Sequence, residues 1–577
     1  MTPRRPAAAF RFRVPSVALG QALPWRLVLA CLLAAVPFAG VSAVEVEDGS
    51  TLPPMQGVLK PGASARHALD LHAGDYVVGE LHAPAAAPAL WLDDADGRPL
   101  RRLLDAWQAG EFMFVAGHDG RHVLRLQGAA DAKARYELHI TRVLPMAGQQ
   151  PATTPPPPRS PRLQALREHL ASGGDTAAFW AQVAREGAPL VETVDGVHLA
   201  TFLWRGARRN VRLFAAPSGD IEDLQRLDGS DVWFATYEVP ADTRMSYKLA
   251  PDVPVLPEGG RAARRAVLAT VRRDPLNPRF WPAGAPDDFA RESILELPGA
   301  PPQRAVRPGT HPAGTTSAHR LSSTRLGNTR DIHLYRSPGY RAGDARNLLL
   351  VVFDGYTYQN AIPTPVILDN LVGEGALPPV LAVFVSNPDA DARARELPCN
   401  PLFGDFLARE LLPWVQSRAG PLPAASRTAL AGASYGGLAS ACVALQYPRH
   451  FGNVLSQSGS FWWAPDAVPG QPGAAEPEWL ARRYAEAPRQ PIRFWLEAGR
   501  FETGRGQAGI LESNRHLRDV LRARGYDVQH REFSGGHDWY HWRGTLADGL
   551  LALFADTPSA SPMTPADASA PTSAKDY

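Results

Sequence analysis

The chain has 577 residues, with 60 lysines and arginines against 58 aspartates and glutamates and a formal net charge of +2. Balanced charge argues against a general nucleic-acid binder, and a chain of this length exceeds what one core fills, so two or three domains are expected. The 55 prolines and the abundant arginine and alanine speak of a GC-rich coding sequence more than of a function.

Arg4, Arg5, Arg11, Arg13 and Arg26 precede an apolar stretch from Leu27 to Val41, and Val41-Ser42-Ala43 offers the small residues that a signal peptidase needs. Residues 1–43 therefore read as a secretory signal, with a periplasmic or secreted mature chain as the expectation. Arg4-Arg5 followed by no close apolar pair is a poorer match to a twin-arginine address, and the apolar segment before Cys31 is too short for a lipoprotein signal. No later apolar run is long enough to span a bilayer, so a soluble chain is expected after cleavage. Cys399 and Cys442 then remain, available to pair in an oxidising compartment.

Residues 44–145 carry short alternating runs between turn signals: Ala68 to Leu71, Tyr76 to Leu81, Ala89 to Leu92, Phe112 to Val115, Val123 to Leu126 and Tyr136 to Ile140. That spacing predicts a small β-sandwich. It holds no cluster of nucleophile, base or metal ligands, so a binding or spacer role is expected, and it loosely resembles the sandwich modules appended to secreted bacterial peptidases. Residues 146–162, with Pro155-Pro156-Pro157-Pro158, predict a stiff extended linker. Helical spacing follows from Pro161 to Glu186, then β-type runs at Val197–Trp204, Val211–Phe214, Trp233–Val239 and Met245–Leu249. Residues 163–300 are read as a second, immunoglobulin-like β domain whose body ends near Asp274-Pro275-Leu276-Asn277-Pro278, with Arg304 to Ser317 a polar connection.

From residue 318 to 556 strands and helices alternate. Leu348–Phe353, Val380–Val385, Val454–Ser456 and Phe494–Leu496 are continuous apolar runs, as expected of strands covered on both faces in an α/β sheet. Small polar residues from 557 to 577 predict a disordered tail.

Gly432-Ala433-Ser434-Tyr435-Gly436 is a G-x-S-x-G pentapeptide between an apolar β-type run and an apolar helical pattern, the context of a nucleophile elbow. Ser434 is the candidate nucleophile, against the plainer reading of a tight turn. Glycine pairs and a preceding strand put His537, in Gly535-Gly536-His537-Asp538-Trp539, in a loop at the end of the last strand, as candidate base. His541 four residues on lacks the pattern of a metal site. For the acid, Glu502 past Gly499 is the first choice and Glu497 the second; either also fits an exposed loop carboxylate. The oxyanion donors are expected to be the N–H of Tyr435 and one from the loop at Asp354-Gly355-Tyr356, assigned to Gly355, with Asp354 shaping the turn.

A wider set of segments follows the same order along the chain: Phe202–Arg205, Leu227–Trp233, Asp274–Pro278, Phe353-Asp354-Gly355, Arg395–Asn400, Leu455–Trp463, Leu496–Gly499, Gly535–Asp538 and Trp542-Arg543-Gly544. Through these, residues from about 165 to 555 resemble the enterochelin esterases, which hydrolyse the trilactone siderophore enterobactin, commonly as its ferric complex. The resemblance implies an α/β-hydrolase behind an immunoglobulin-like domain, with Ser434 and His537 as nucleophile and base, Glu502 as acid, and no cofactor. It also implies a small-molecule siderophore ester as the partner. A ferric tris-catecholate is anionic and aromatic, so Arg393, Arg395, Arg500, Trp462, Trp463 and Trp539 are candidate contacts. Each has a plainer reading, solvated charge for the arginines and core for Trp462-Trp463. Family members of best-known type are cytoplasmic and lack a signal and an added sandwich, which leaves open an exported esterase acting on feruloyl, acetyl or peptide-type substrates, or a noncatalytic siderophore binder.

Overall fold

Alternate residues of the central strands face opposite ways, and this divides the C-terminal half of the protein into two cores. In the computed structural model, Leu349 and Val351 of the strand Leu348–Val352 pack with Leu381, Phe403, Phe406, Leu438 and Leu517. Leu348, Leu350 and Val352 of the same strand pack on the other face with Ile367, Leu368, Trp542, Leu546 and Leu550. Helices thus cover both faces, which is why these strands are apolar throughout. The structure describes residues 44–45, 52–84, 87–106, 108–146, 149, 158–256, 262, 265–309, 311–465, 478–504 and 509–555. The expected signal, the proline run at 155–157 and the tail from 557 lie outside them.

The sheet has eight strands in the order Thr315–Ser323, Asn328–Arg336, Val380–Val385, Leu348–Val352, Thr428–Ala433, Asn453–Gln457, Arg493–Gly499 and Asp527–Phe533. The first two pair antiparallel and the rest run parallel from Val380–Val385 onward. Parallel strands bring their carboxyl ends to one edge, where loops can converge. The strand Thr315–Ser323 begins inside what the sequence suggests is a polar connection; half its residues face solvent, so it lacks an apolar run.

Two further sheet pairs precede this one. Strands Leu190–Val194, Val197–Arg205, Gln225–Arg226 and Val232–Val239 form one sheet, and Val211–Phe214, Glu222–Asp223, Arg244–Pro251, Phe280–Trp281 and Glu292–Glu296 another. Their shared core includes Phe202, Trp204, Leu213, Trp233, Tyr247 and Leu295. The strand Glu292–Glu296, paired with Arg244–Pro251, carries this unit well past Asp274–Pro278, where the sequence suggests an end. That segment is instead internal: buried Asp274 accepts from the Tyr247 hydroxyl at 2.8 Å and Asn277 donates to the Ile294 carbonyl at 3.0 Å.

Upstream, a five-stranded and a four-stranded sheet share one core that includes Leu69, Val77, Leu92, Phe114, Leu124 and Leu138. The described regions from Val44 onward form one compact unit. Tyr76 and Met113 of the upstream region join Ala250, Val253, Leu256, Val267 and Val271 in a common apolar cluster. The Arg101 guanidinium donates to the carbonyls of Ala269 and Leu268 at 2.8 and 2.9 Å. The upstream region is therefore seated on its neighbour, not merely strung beside it.

Candidate active site

Ser434 ends the strand Thr428–Ala433 and precedes the helix Tyr435–Gln446, with φ 58° and ψ −120°. This region is strained for a residue with a side chain, and it persists because the surroundings over-determine it. The Ser434 N–H donates to the Gln457 carbonyl at 3.0 Å, and its own carbonyl accepts from Leu438 and Ser460 at 3.0 and 3.1 Å. The turn also demands glycine: a Cβ on Gly432 would stand 2.7 Å from the Gly436 carbonyl carbon. The Ser434 hydroxyl is half-buried and shares a hydrogen bond with the Ser460 hydroxyl at 3.2 Å.

The strand Arg493–Gly499 delivers a carboxylate and the strand Asp527–Phe533 an imidazole. Glu502 Oε1 lies 2.6 Å from His537 Nδ1. Its other oxygen accepts the Gly499 N–H at 2.5 Å and the Ser458 hydroxyl at 2.6 Å. Ser458 in turn accepts the Trp542 indole N–H at 3.0 Å, and that indole meets the His537 ring edge to face at 4.7 Å. Glu502 is 3% exposed whereas the His537 side chain is 43% exposed. A carboxylate on Nδ1 fixes the proton there and leaves Nε2 as the accepting nitrogen on the solvent side. Ser434 bonds Ser460 and not His537, a looseness common before substrate arrives.

Glu497 has a different environment. It is fully buried and accepts from Gln457, Thr545 and Trp495 at 2.9, 2.5 and 3.2 Å. Burial pushes its carboxyl up to about 7. It faces the packing between strand and helix, not His537, so of the two candidate acids only Glu502 meets the imidazole. His541 is buried too, stacked on Phe533 at 3.7 Å, and burial lowers it to about 3.

The expected oxyanion donor at Gly355 requires correction. Its N–H donates to the Val385 carbonyl at 3.0 Å and is not available to a substrate. A Cβ there would come within 2.8 Å of the Phe384–Val385 backbone, so the glycine serves a close approach to the neighbouring strand. Tyr435 opens the helix after Ser434, where N–H groups have no acceptor in their own helix. Asp354 is held in a bidentate ion pair by Arg393, at 2.7 and 2.9 Å, and by Asn387 at 2.6 Å. The Arg393 charge is thus already matched, while its guanidinium lies 5.7 Å from the Tyr435 ring.

Of the other expected contacts, Trp462 is 38% exposed with its ring 6.4 Å from that of Tyr435. Trp463 is half-buried, perpendicular to Trp479 at 6.0 Å, and packs against the core. Trp539 is half-buried between Tyr358 and Trp542. Arg395 and Arg500 are exposed, and no hydrogen bond among the described residues ties their side chains to the elbow. Sequence reasoning passed over Ser458, Ser460, Trp542 and Tyr356, the last 57% exposed on the loop after Asp354. Ser458, Ser460 and Trp542 sit in segments whose order along the chain was recognisable, but nothing local announces their partners.

Residues 199–306 match the model of the enterochelin esterase N-terminal family and residues 323–553 that of the putative esterase family. Over 427 residues the chain is 34% identical to the iron(III) enterobactin esterase of Dickeya dadantii, covering 66% of this chain and 94% of that protein. This protein belongs to the enterochelin esterase family. Like its relatives, this enterochelin esterase family member is a hydrolase of the esterase class. It is 29% identical to the iron(III) salmochelin esterase of Escherichia coli O6:H1, over 68% of this chain and 97% of that one. Among solved structures, ferric enterobactin esterase from Salmonella typhimurium matches with a TM-score of 0.53 at 30% identity, covering 65% of this chain and 98% of that one. The enterobactin esterase from Shigella flexneri, solved in the presence of enterobactin, gives 0.52 at 30%, with 65% and 97% covered.

Proposed function

We propose that the protein is a serine esterase that hydrolyses the ester bonds of enterobactin-type catecholate siderophores, iron-loaded or free, and so releases the metal. The observation that carries this reading is the Glu502–His537 hydrogen bond of 2.6 Å at the strand edge that also presents Ser434. In the first step His537 Nε2 takes the Ser434 proton as Oγ attacks the serine-ester carbonyl, and Glu502 stabilises the imidazolium. The Tyr435 N–H stabilises the oxyanion. As the tetrahedral intermediate collapses, the imidazolium gives its proton to the departing alkoxide. The neutral imidazole then takes a proton from the water that attacks the acyl-enzyme and returns it to Ser434 Oγ as the acid product leaves. The exposed Trp462 beside Tyr435 suits a catechol ring, and the exposed guanidiniums of Arg395 and Arg500 suit an anionic complex.

Export is part of the reading. A disulfide joins Cys399 to Cys442, and such a bridge is favoured in an oxidising compartment such as the periplasm. We assign residues 163–300 as the family's immunoglobulin-like domain and 44–145 as an added β-sandwich, with 146–162 between them.

The test is incubation of the purified protein and its Ser434→Ala variant with iron-free and ferric enterobactin, followed by chromatography and mass spectrometry. Linear trimer, dimer and monomer are expected only with Ser434 present, the variant being slower by at least about a thousandfold. No turnover of either form, beside Ser434-dependent cleavage of a simple aryl ester, overturns the siderophore assignment and keeps the hydrolase.

A further inference from the structure

The loop that carries His537 rests on the second β unit as well as on its own sheet, where the Gly535 carbonyl accepts the Phe501 N–H at 3.1 Å. The Ser534 carbonyl accepts the Arg244 N–H at 3.0 Å, and its hydroxyl donates to Asp242 at 2.6 Å. A Cβ on Gly535 would stand 2.6 Å from the Arg244 carbonyl oxygen, so the two backbones touch. Asp538, next to His537, accepts the Ser246 N–H at 2.5 Å and the Ser246 hydroxyl at 2.7 Å. It also caps the helix Trp539–Phe554 by accepting the Tyr540 N–H at 2.8 Å.

Glu292 adds a constraint. Its Oε2 lies 2.5 Å from the same Ser246 hydroxyl. One hydroxyl carries one hydrogen, so it cannot donate to two carboxylates at once. Burial, with the Glu292 charge second, pushes the Asp538 carboxyl up to about 6, toward the protonated form that can donate to the hydroxyl instead. Arg543 and Arg244 are the cations near Asp538, and Lys248 faces Glu292. His541, on the far side, stays neutral because burial lowers it to about 3.

We propose that Ser246 is a positioning residue of the esterase: through Asp538 it fixes the backbone from which the His537 imidazole reaches Ser434. The inference rests on the reading of His537 as general base. Ser246 meets neither the nucleophile nor the imidazole, and acts through the carboxylate adjacent to the base. A base displaced by a fraction of an ångström transfers its proton less well while leaving substrate contacts in place.

The test uses the full-length protein with 4-nitrophenyl butyrate, and counts competent Ser434 hydroxyls with a fluorophosphonate, so that kcat is expressed per reactive site. Ser246→Ala is expected to lower kcat per site about tenfold with KM within about twofold, and Ser246→Thr, which keeps the hydroxyl, to restore most of it. Ser246→Cys, near in size with a weak donor, covers the case of an alanine variant that does not fold and should show the same direction. Wild-type kcat per site in either folded variant overturns the proposal, as does a loss confined to the number of sites. Wild-type turnover by His537→Asn in the same assay overturns instead the general-base reading beneath it.

Discussion

Glu497 and Glu502 lie on one strand and the loop after it, yet their surroundings push them to opposite tasks. Glu502 keeps one oxygen for His537 and satisfies the other with Gly499 and Ser458. Glu497 has three donors and no imidazole. Glu502→Gln should therefore lower kcat by about a hundredfold to ten-thousandfold, because an amide can leave the imidazole in the wrong tautomer, whereas Glu497→Gln should cost less than about tenfold. Steady-state kinetics on an aryl ester decides between them. Glu497 also has a signature in stability. Folded, it holds its proton up to about 7, while the unfolded chain releases it near the ordinary 4.5. The folded state binds more protons between those values, so this group's contribution to stability falls as pH rises from about 4.5 to about 7, by at most about 3 kcal/mol. Thermal melts at pH 5 and pH 8 should fall less steeply in Glu497→Gln, even though an amide nitrogen beside the Trp495 N–H lowers its stability at both. The choice of acid was only half legible in the sequence: both carboxylates fit the loop rule, and which one turns toward His537 depends on the path taken after Gly499.

At the scale of elements, the elbow depends on bare backbone. Gly432→Ala would drive a Cβ to 2.7 Å from the Gly436 carbonyl carbon, a contact that only movement of strand or helix relieves. The expected outcome is a loss of about 1–3 kcal/mol in denaturant unfolding together with a severe loss of turnover, since the shift falls at Ser434 itself. Gly355 shows the opposite lesson. It was legible as a place of close approach, but not as to what is approached, because its N–H bonds Val385 across the sheet. The central strands were legible for a plain reason: Leu348–Val352 and Val380–Val385 are buried at every position and so read as unbroken apolar runs. Pro99–Leu104 and Leu190–Val194 were not, since exposed and half-exposed positions interrupt their burial. In Pro99–Leu104 even an arginine is structural, Arg101 reaching the carbonyls of Leu268 and Ala269.

Across the whole molecule, regions that the sequence presents as successive domains are joined through side chains. Phe501, immediately before Glu502, is 8% exposed and sits in the core of the second β unit with Phe202, Trp204 and Leu213. Gly219 of that unit approaches the Phe501 carbonyl too closely to admit a Cβ. Phe501→Ala should thus cost about 3–5 kcal/mol in unfolding and reduce kcat in the molecules that remain folded, since Glu502 follows directly. Calorimetry with site titration separates the two effects. No sequence pattern marks such a residue, because its neighbours come from a stretch of chain far upstream. The seating of Phe501 also sets an order of events. The socket, residues 199–297, precedes its plug along the chain and so becomes available to fold first. A partly synthesised or unfolded chain therefore lacks the anchored carboxylate, and the molecule is silent toward its esters until the last third of the polypeptide has closed back onto the middle third.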